Sequence, residues 1–113
     1  MKLRESESQI QMAIMNYLEV RGYYVQRLNA GSYKTQTGYV KGVKTGTPDI
    51  FAFRNSCKES QTGCGDVNLL FVEVKVPGNK PTVLQLMRMR ELEEHGAQCV
   101  VASSVEDLHE LGI

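Results

Sequence analysis

The stretch LLFVEVKV, Leu69–Val76, has the composition of a buried β-strand but carries two charged side chains. Successive side chains of a strand point to opposite faces, so Glu73 and Lys75 share one face with Leu69 and Phe71, while the other face is wholly apolar. Burying a carboxylate or an ammonium costs several kcal/mol unless the charge is paired or bound to a metal. The pair therefore indicates either a solvated strand edge or a site where another charge neutralises it.

The chain has 113 residues, of which 42% are hydrophobic and 23% are charged. These values predict one globular domain, residues 1–113, with a single core of two or three layers. No apolar run approaches the roughly 18 residues that a membrane span needs. The first residues, MKLRESESQIQ, carry no apolar signal-peptide core either. We therefore expect a cytosolic protein.

The net charge is zero, but the charges are unevenly distributed, since Val20–Pro48 contains no Asp or Glu. Its basic residues are Arg21, Arg27, Lys34, Lys41 and Lys44, and its tyrosines are Tyr23, Tyr24, Tyr33 and Tyr39. Basic residues interleaved with aromatic ones suit a phosphate backbone and unstacked bases. We take Arg27, Lys34, Lys41 and Lys44 as candidate DNA-binding residues; the alternative is a solvated loop with ordinary surface lysines.

Three cysteines are an odd number, which disfavours a disulfide framework. Cys57 and Cys64 are too far apart for a zinc knuckle, and both histidines are distant in sequence. We therefore expect free thiols, with Cys99 in the core.

The pattern along the chain predicts the order α-β-β-β-α-β-α. A helix from Ser6 to Gly22 is followed by strands in YYVQRLN, DIFAF and LLFVEVKV, a helix from Thr82 to His95, a strand in AQCVVA and a final helix capped by Ser103 or Ser104. Residues Ala30 to Thr47 form a long loop or a hairpin. A strand, a helix and a strand in succession favour a small mixed sheet flanked by helices.

Asp49 directly follows Gly-Thr-Pro at the start of a strand, where proline restricts the backbone. On its own this residue could simply start the strand or cap a turn. An acid here and Glu73 on a neighbouring strand can, however, converge on a divalent cation. Mg²⁺ and Mn²⁺ favour carboxylate and water ligands. Lys75 would then point into the same site and offset charge on a phosphate.

Two further residues have both a structural and a functional interpretation. Glu7 lies one turn before Ile10, near the edge of the apolar stripe, where it could join the site or merely complement the helix dipole. Gln85 could complete a capping box with Thr82 or contribute to the site.

The arrangement Pro48-Asp49, a spacer and Glu73-Val74-Lys75 resembles the PD-(D/E)xK nuclease signature. Together with ESQIQMAIMNYLEVRGYYVQRLNAG before it and VPGNKPTVLQLMRMRELEEHGAQCVVASSVEDL after it, nearly the whole chain is similar to the VRR-NUC (virus-type replication-repair nuclease) branch of that superfamily. One departure is the long polar connection from Arg54 to Asn68, which leaves every motif residue in place.

The resemblance implies a restriction-endonuclease-like fold and a catalytic set of Asp49, Glu73, Lys75 and Gln85. The implied metal ligands are Asp49, Glu73, the Val74 carbonyl and, directly or through water, Glu7. Lys75 would be the catalytic lysine, and Gln85 would position the lysine, water or substrate.

The implied activity is Mg²⁺- or Mn²⁺-dependent hydrolysis of DNA phosphodiesters, with flaps, forks or Holliday junctions as substrates. A homodimer would suit a two-fold symmetric junction. The implied location is a bacterial or phage-infected cytosol, or the nucleoid.

Two other functional classes are alternatives to a nuclease. A non-catalytic nucleic-acid-binding module with this fold would gain little from retaining Asp49, Glu73 and Lys75. A nucleotide-binding hydrolase is disfavoured because GYVKGVKT places Val43 where a P-loop needs glycine.

Overall fold

A computed structural model describes residues 5–28, 32–55 and 66–113. Its elements in chain order are α1 (Glu7–Val20), β1 (Tyr24–Arg27), β2 (Ser32–Thr35), β3 (Gly38–Lys41), β4 (Ile50–Asn55), β5 (Val67–Val74), α2 (Val83–Glu94), β6 (Gln98–Ala102) and α3 (Val105–Glu110). The order of helices and strands predicted from the sequence is confirmed, and the stretch left open as a loop or hairpin contains the β2–β3 hairpin.

Four strands form one mixed sheet in the order β1-β4-β5-β6. The pairs β1–β4 and β4–β5 are antiparallel, whereas β5 and β6 are parallel and are connected through α2. Strands β2 and β3 pair only with each other within the described residues. This mixed sheet with flanking helices is the predicted fold class.

Both long helices begin with the capping boxes that the sequence predicts. In α1, the Ser6 hydroxyl accepts from the Gln9 backbone N–H and the Gln9 side chain accepts from the Ser6 N–H, over 3.2 and 2.8 Å. These reciprocal bonds satisfy amide groups that have no partner inside the helix. Helix α3 is capped by Ser104, the second of the two predicted residues.

The core lies between one face of the sheet and helices α1 and α3. Its fully buried side chains are Ile14 and Leu18 from α1, Ile50, Ala52, Leu70, Val72 and Val74 from the central strands, and Leu108 from α3. The helical residues recur at the i, i+4 spacing of an amphipathic helix. The Tyr17 hydroxyl donates to the Ile113 carbonyl over 2.7 Å, which joins α1 to the end of the chain.

The opposite face of the sheet is aromatic. Tyr24, Phe53, Phe51 and Phe71 form a chain of ring contacts with centroid separations of 5.1, 5.7 and 5.1 Å. Helix α2 packs against β6 and covers part of this aromatic face. The two faces of β5 therefore have different neighbours, and Glu73 belongs to the aromatic face.

The cysteine predictions have a mixed outcome. Cys57 and Cys64 lie outside the described residues. Cys99 is a free thiol but only half-buried, so its expected place in the core is wrong; its Sγ donates to the Met89 carbonyl over 3.6 Å. Burial and the neighbouring Glu93 raise the pKa of this thiol to about 11.

Within the described ranges, no helix has the length and hydrophobicity needed to cross a bilayer.

Candidate active site

Asp49 is held where the chain enters β4 by two hydrogen bonds to neighbouring strands. Its backbone carbonyl accepts from the Leu28 N–H over 2.8 Å. Its carboxylate oxygen Oδ2 accepts from the Val74 N–H, also over 2.8 Å. Pro48, directly before it, is fully buried, and its ring restricts the backbone where the chain reaches Asp49. Asp49 therefore lies at the end of β5 that carries Glu73.

Glu73 is buried, with 2% of its surface exposed. Ile50 pairs with Val72, so continuing the antiparallel register by one residue places Asp49 opposite Glu73. Lys75 Nζ lies 3.6 Å from Glu73 Oε1, and its side chain is 15% exposed. This burial excludes the solvated strand edge considered above, because neither member of the pair is freely hydrated.

The protonation of Glu73 reflects these surroundings. Loss of hydration on burial raises the pKa of Glu73 from its ordinary 4.5 to about 7, and the negative charge of Asp49 adds to this increase. Lys75 opposes the increase through its positive charge, and Glu7 contributes a smaller increase. Two carboxylates and a lysine are thus in electrostatic contact, with negative charge in excess.

The arrangement fits a divalent cation. Glu73 Oε2 is buried and has no hydrogen-bond partner among the described residues. An unpaired buried acceptor is unfavourable, and a cation beside it would remove both this deficit and the repulsion from Asp49. Oxygen atoms of this kind are the ligands that Mg²⁺ and Mn²⁺ prefer. Asp49, Glu73 and the Val74 carbonyl would hold the ion.

Glu7 lies in the first turn of α1 and is exposed. Its effect on the pKa of Glu73 means that the start of α1 lies within electrostatic range of the acid pair. Across the described ranges, however, no three His, Cys, Asp or Glu side chains converge closely enough to ligate one ion. Of the two roles predicted for Glu7, this separation is more compatible with contact through water.

Gln85 adopts the structural role that the sequence allows. Its side-chain oxygen accepts from the Thr82 N–H over 2.9 Å, and its own N–H donates to the Thr82 hydroxyl over 3.1 Å. The cap holds Gln85 in the first turn of α2, ten residues after Lys75. A catalytic role for its amide stays a prediction.

A solved structure described as a VRR_NUC domain is similar to this chain, with a TM-score of 0.63, 21% sequence identity and coverage of 93% of this chain and 91% of that one. The chain has the VRR-NUC fold. No protein-family model and no curated protein matches it. The VRR-NUC likeness therefore rests on the arrangement of helices and strands.

The basic residues that the sequence indicates as DNA-binding candidates are only partly described. Arg27 is exposed and pairs through its backbone with Ile50, directly after Asp49. Lys44 is 73% exposed, and its Nζ lies 3.7 Å from a Glu91 carboxylate oxygen. Of Lys34 and Lys41, only the backbone positions in the β2–β3 hairpin are described. The Arg27 backbone thus lies one residue from Asp49 across the sheet, and Lys44 lies against α2.

A contact that the sequence did not predict joins α2 to the segment leading into Asp49. Arg88 Nη1 donates to Glu91 over 2.8 Å, and Arg88 Nε donates to the Thr45 carbonyl over 3.3 Å. Gly46 (φ +87°) packs so closely on α2 that an added Cβ would lie 3.0 Å from Leu84 atoms. The i, i+3 spacing of Arg88 and Glu91 was the available signal, but it did not indicate Thr45 as a partner.

A second missed residue is Gln11, which is buried on the apolar stripe of α1, one turn after Glu7. Its Oε1 has no partner among the described residues. Its position at i+4 from Glu7, within an otherwise apolar stripe, was the signal that could have identified it.

Proposed function

We propose that this chain is a metal-dependent DNA endonuclease. The observation that carries the proposal is the buried Glu73 between the half-buried Asp49 and Lys75, with one Glu73 oxygen unpaired among the described residues. A fold without a ligand here would keep two acids together in a poorly hydrated place at a cost in stability. The nuclease-domain fold supports the same function.

The reaction would be hydrolysis of a DNA phosphodiester. Water attacks phosphorus in line, the bond from phosphorus to the 3′ oxygen breaks, and that oxygen receives a proton, leaving a 5′-phosphate and a 3′-hydroxyl. When bound, Mg²⁺ or Mn²⁺ supplies Lewis-acid polarisation of the phosphate and a more acidic water. Asp49, Glu73 and the Val74 carbonyl would hold the ion, with Glu7 acting through water.

Lys75 would be the catalytic lysine. Its ammonium lies 3.6 Å from Glu73 and is mostly shielded from solvent, so its charge is weakly screened. There it can hold the attacking water and offset the charge that accumulates on the phosphate oxygens. Gln85 would orient the lysine, the water or the substrate from the start of α2.

We propose that the substrates are branched DNAs, namely flaps, forks or Holliday junctions formed in replication, repair or recombination. A domain of 113 residues has little surface for reading base sequence, and phosphate contacts from Arg27, Lys34, Lys41 and Lys44 would instead respond to backbone position. A homodimer would suit a two-fold junction. These substrates place the protein in the cytoplasm or nucleoid of a bacterium or a phage-infected cell.

The test is cleavage of end-labelled linear, flapped, forked and four-way DNA with Mg²⁺, Mn²⁺ or EDTA. Cleavage of branched substrates that EDTA abolishes supports the proposal. DNA binding without cleavage under every condition would instead favour the non-catalytic binding module. Light scattering with and without four-way DNA tests the dimer, and a monomer in both cases would overturn that part.

A further inference from the structure

A cavity of about 560 Å³ lies on the aromatic face of the sheet, beneath the middle of α2. This volume is within the range of about 300–1,000 Å³ that is usual for small-molecule sites. Its floor is formed by the rings of Phe51 and Phe71, which pair across β4 and β5 with centroids 5.1 Å apart. Leu92 of α2 contributes to an apolar wall.

The cavity directly adjoins the candidate active site. Phe71 lies two residues before Glu73 on the same face of β5, which corresponds to about 7 Å along the strand. Phe51 likewise lies two residues after Asp49. Leu28, another wall residue, donates its backbone N–H to the Asp49 carbonyl over 2.8 Å. A group in the cavity would therefore lie about one nucleotide from a phosphate held at Asp49 and Glu73.

The rim of the cavity is polar, and most of its polar groups hydrogen-bond with one another. Arg88 donates to Glu91 over 2.8 Å, and the Thr47 hydroxyl donates to the Lys44 carbonyl over 2.6 Å. The second Glu91 oxygen lies 3.7 Å from Lys44 Nζ, beyond hydrogen-bond distance. The rim thus presents a carboxylate oxygen that can accept a further hydrogen bond, beside a lysine that can approach phosphate.

We propose that this cavity receives a nucleobase unstacked from the DNA next to the scissile phosphate. A base has a flat apolar surface for the Phe51 and Phe71 rings and a polar edge for the rim, and its phosphate would extend toward the acid pair and Lys44. The Glu91 oxygen favours bases with an exocyclic amino group, which can donate to it. Bases stack on aromatic side chains in many single-strand sites. This inference rests on the proposed nuclease function.

The first test uses DNA with 2-aminopurine at successive positions around the cut site, because its fluorescence increases when the base leaves the stack. The Lys75→Ala protein keeps the DNA intact, and anisotropy of a separate label reports binding. We expect a fluorescence increase at one position beside the cut and little change two or more nucleotides away. Equal fluorescence at all positions with saturated binding would overturn the cavity proposal.

The second test fills the cavity. Leu92→Trp should weaken binding of branched DNA by about tenfold, the loss expected when one base can no longer stack, and it should abolish the fluorescence increase. Met87→Trp adds the same ring to an exposed position of α2, outside this cavity, and should change neither quantity. Phe71→Leu, which removes the ring but keeps an apolar side chain, should resemble Leu92→Trp. Thermal unfolding verifies that each variant is folded.

The results separate the two proposals. If folded wild-type protein neither binds nor cuts any DNA, the nuclease function itself fails. If it cuts DNA but Leu92→Trp and Phe71→Leu bind as tightly as Met87→Trp, the enzyme stands and the base-binding cavity is wrong.

Discussion

The carboxylate of Asp49 accepts a hydrogen bond from the backbone N–H of Val74 over 2.8 Å. One oxygen of the acid thus joins the start of β4 to the end of β5, and the other can face a cation. The bond explains how a short surface segment places an acid accurately beside Glu73. It also gives Asp49 a structural role apart from its proposed catalytic one, and different substitutions should distinguish the two.

Asp49→Asn and Asp49→Ala should separate these roles. Asparagine retains an acceptor for Val74, so Asp49→Asn should stay folded with a nearly unchanged melting temperature while its cleavage rate falls at least about 100-fold through lost metal binding. Asp49→Ala should in addition lose about 1–3 kcal/mol of stability, because the Val74 N–H loses its partner. Calorimetry and initial rates check both; wild-type cleavage by Asp49→Asn would contradict the metal-ligand role.

Glu73→Gln should stabilise the metal-free protein at pH 8. Burial and Asp49 raise the pKa of Glu73 to about 7, so in the folded state the charged form is disfavoured. The stability that the protonated acid provides is complete below about pH 4.5 and is lost as the pH rises through 7. The expected gain at pH 8 is on the order of 2–3 kcal/mol, with almost none at pH 4.5.

Thermal unfolding in EDTA across this pH range measures that difference. Glu94→Gln, an exposed change on α2, serves as the control and should leave the melting temperature unchanged at every pH. A Glu73→Gln protein less stable than wild type at pH 8 would show that the buried acid has a favourable partner.

Metal binding should release a proton near neutral pH. The ion requires ionised Glu73, whose pKa is raised to about 7, so apparent affinity should fall about tenfold for each pH unit below 7 and level off above it. Titration calorimetry with Mn²⁺ in two buffers of different ionisation enthalpy counts the protons. Binding that is independent of pH between 5 and 7 would contradict the assignment of Glu73 as a ligand.

Charge reversal in the basic segment should weaken DNA binding in a salt-dependent manner. The double variant Lys41→Glu, Lys44→Glu should bind branched DNA at least tenfold more weakly and show a shallower dependence of affinity on salt, because fewer counterions are released. Arg90→Glu, on the exposed surface of α2, is the matched control. An unchanged salt slope in the double variant would remove these lysines from the DNA interface.

Arg88→Ala should loosen the segment that leads into Asp49. Its side chain joins Thr45 to Glu91, and its loss should reduce stability by about 1 kcal/mol. Glu91→Ala removes one of the two contacts, so a double-mutant cycle should show coupling of about 0.5–1 kcal/mol. Purely additive effects in denaturant unfolding would mean that the ion pair contributes nothing measurable.

Local sequence patterns were sufficient to predict much of the fold and part of the candidate site. The Ser6 and Thr82 caps, the apolar stripe of α1 and the apolar run that forms β5 are determined by neighbouring residues, and the structure has each of them. The burial of Glu73 also followed from its apolar surroundings. Such features depend on short spacings that can be compared directly with helix and strand geometry.

Features that depend on distant segments were not predicted. The Arg88 contact with Thr45 and the cavity above Phe51 and Phe71 both require α2 to lie over the aromatic face, which no local pattern specifies. Cys99 was misplaced for the same reason: an apolar strand was taken as core, but β6 is at the edge of the sheet and only half covered by α2.

The most direct measurement is single-turnover cleavage of branched DNA by wild type and Lys75→Ala, with Mn²⁺ and with EDTA, at protein concentrations that anisotropy shows to be saturating. We predict Mn²⁺-dependent cutting by wild type, none in EDTA, and a rate at least about 1,000-fold lower for Lys75→Ala with DNA affinity retained. Equal cutting by both proteins, or cutting that persists in EDTA, would contradict a metal-dependent site built on Asp49, Glu73 and Lys75.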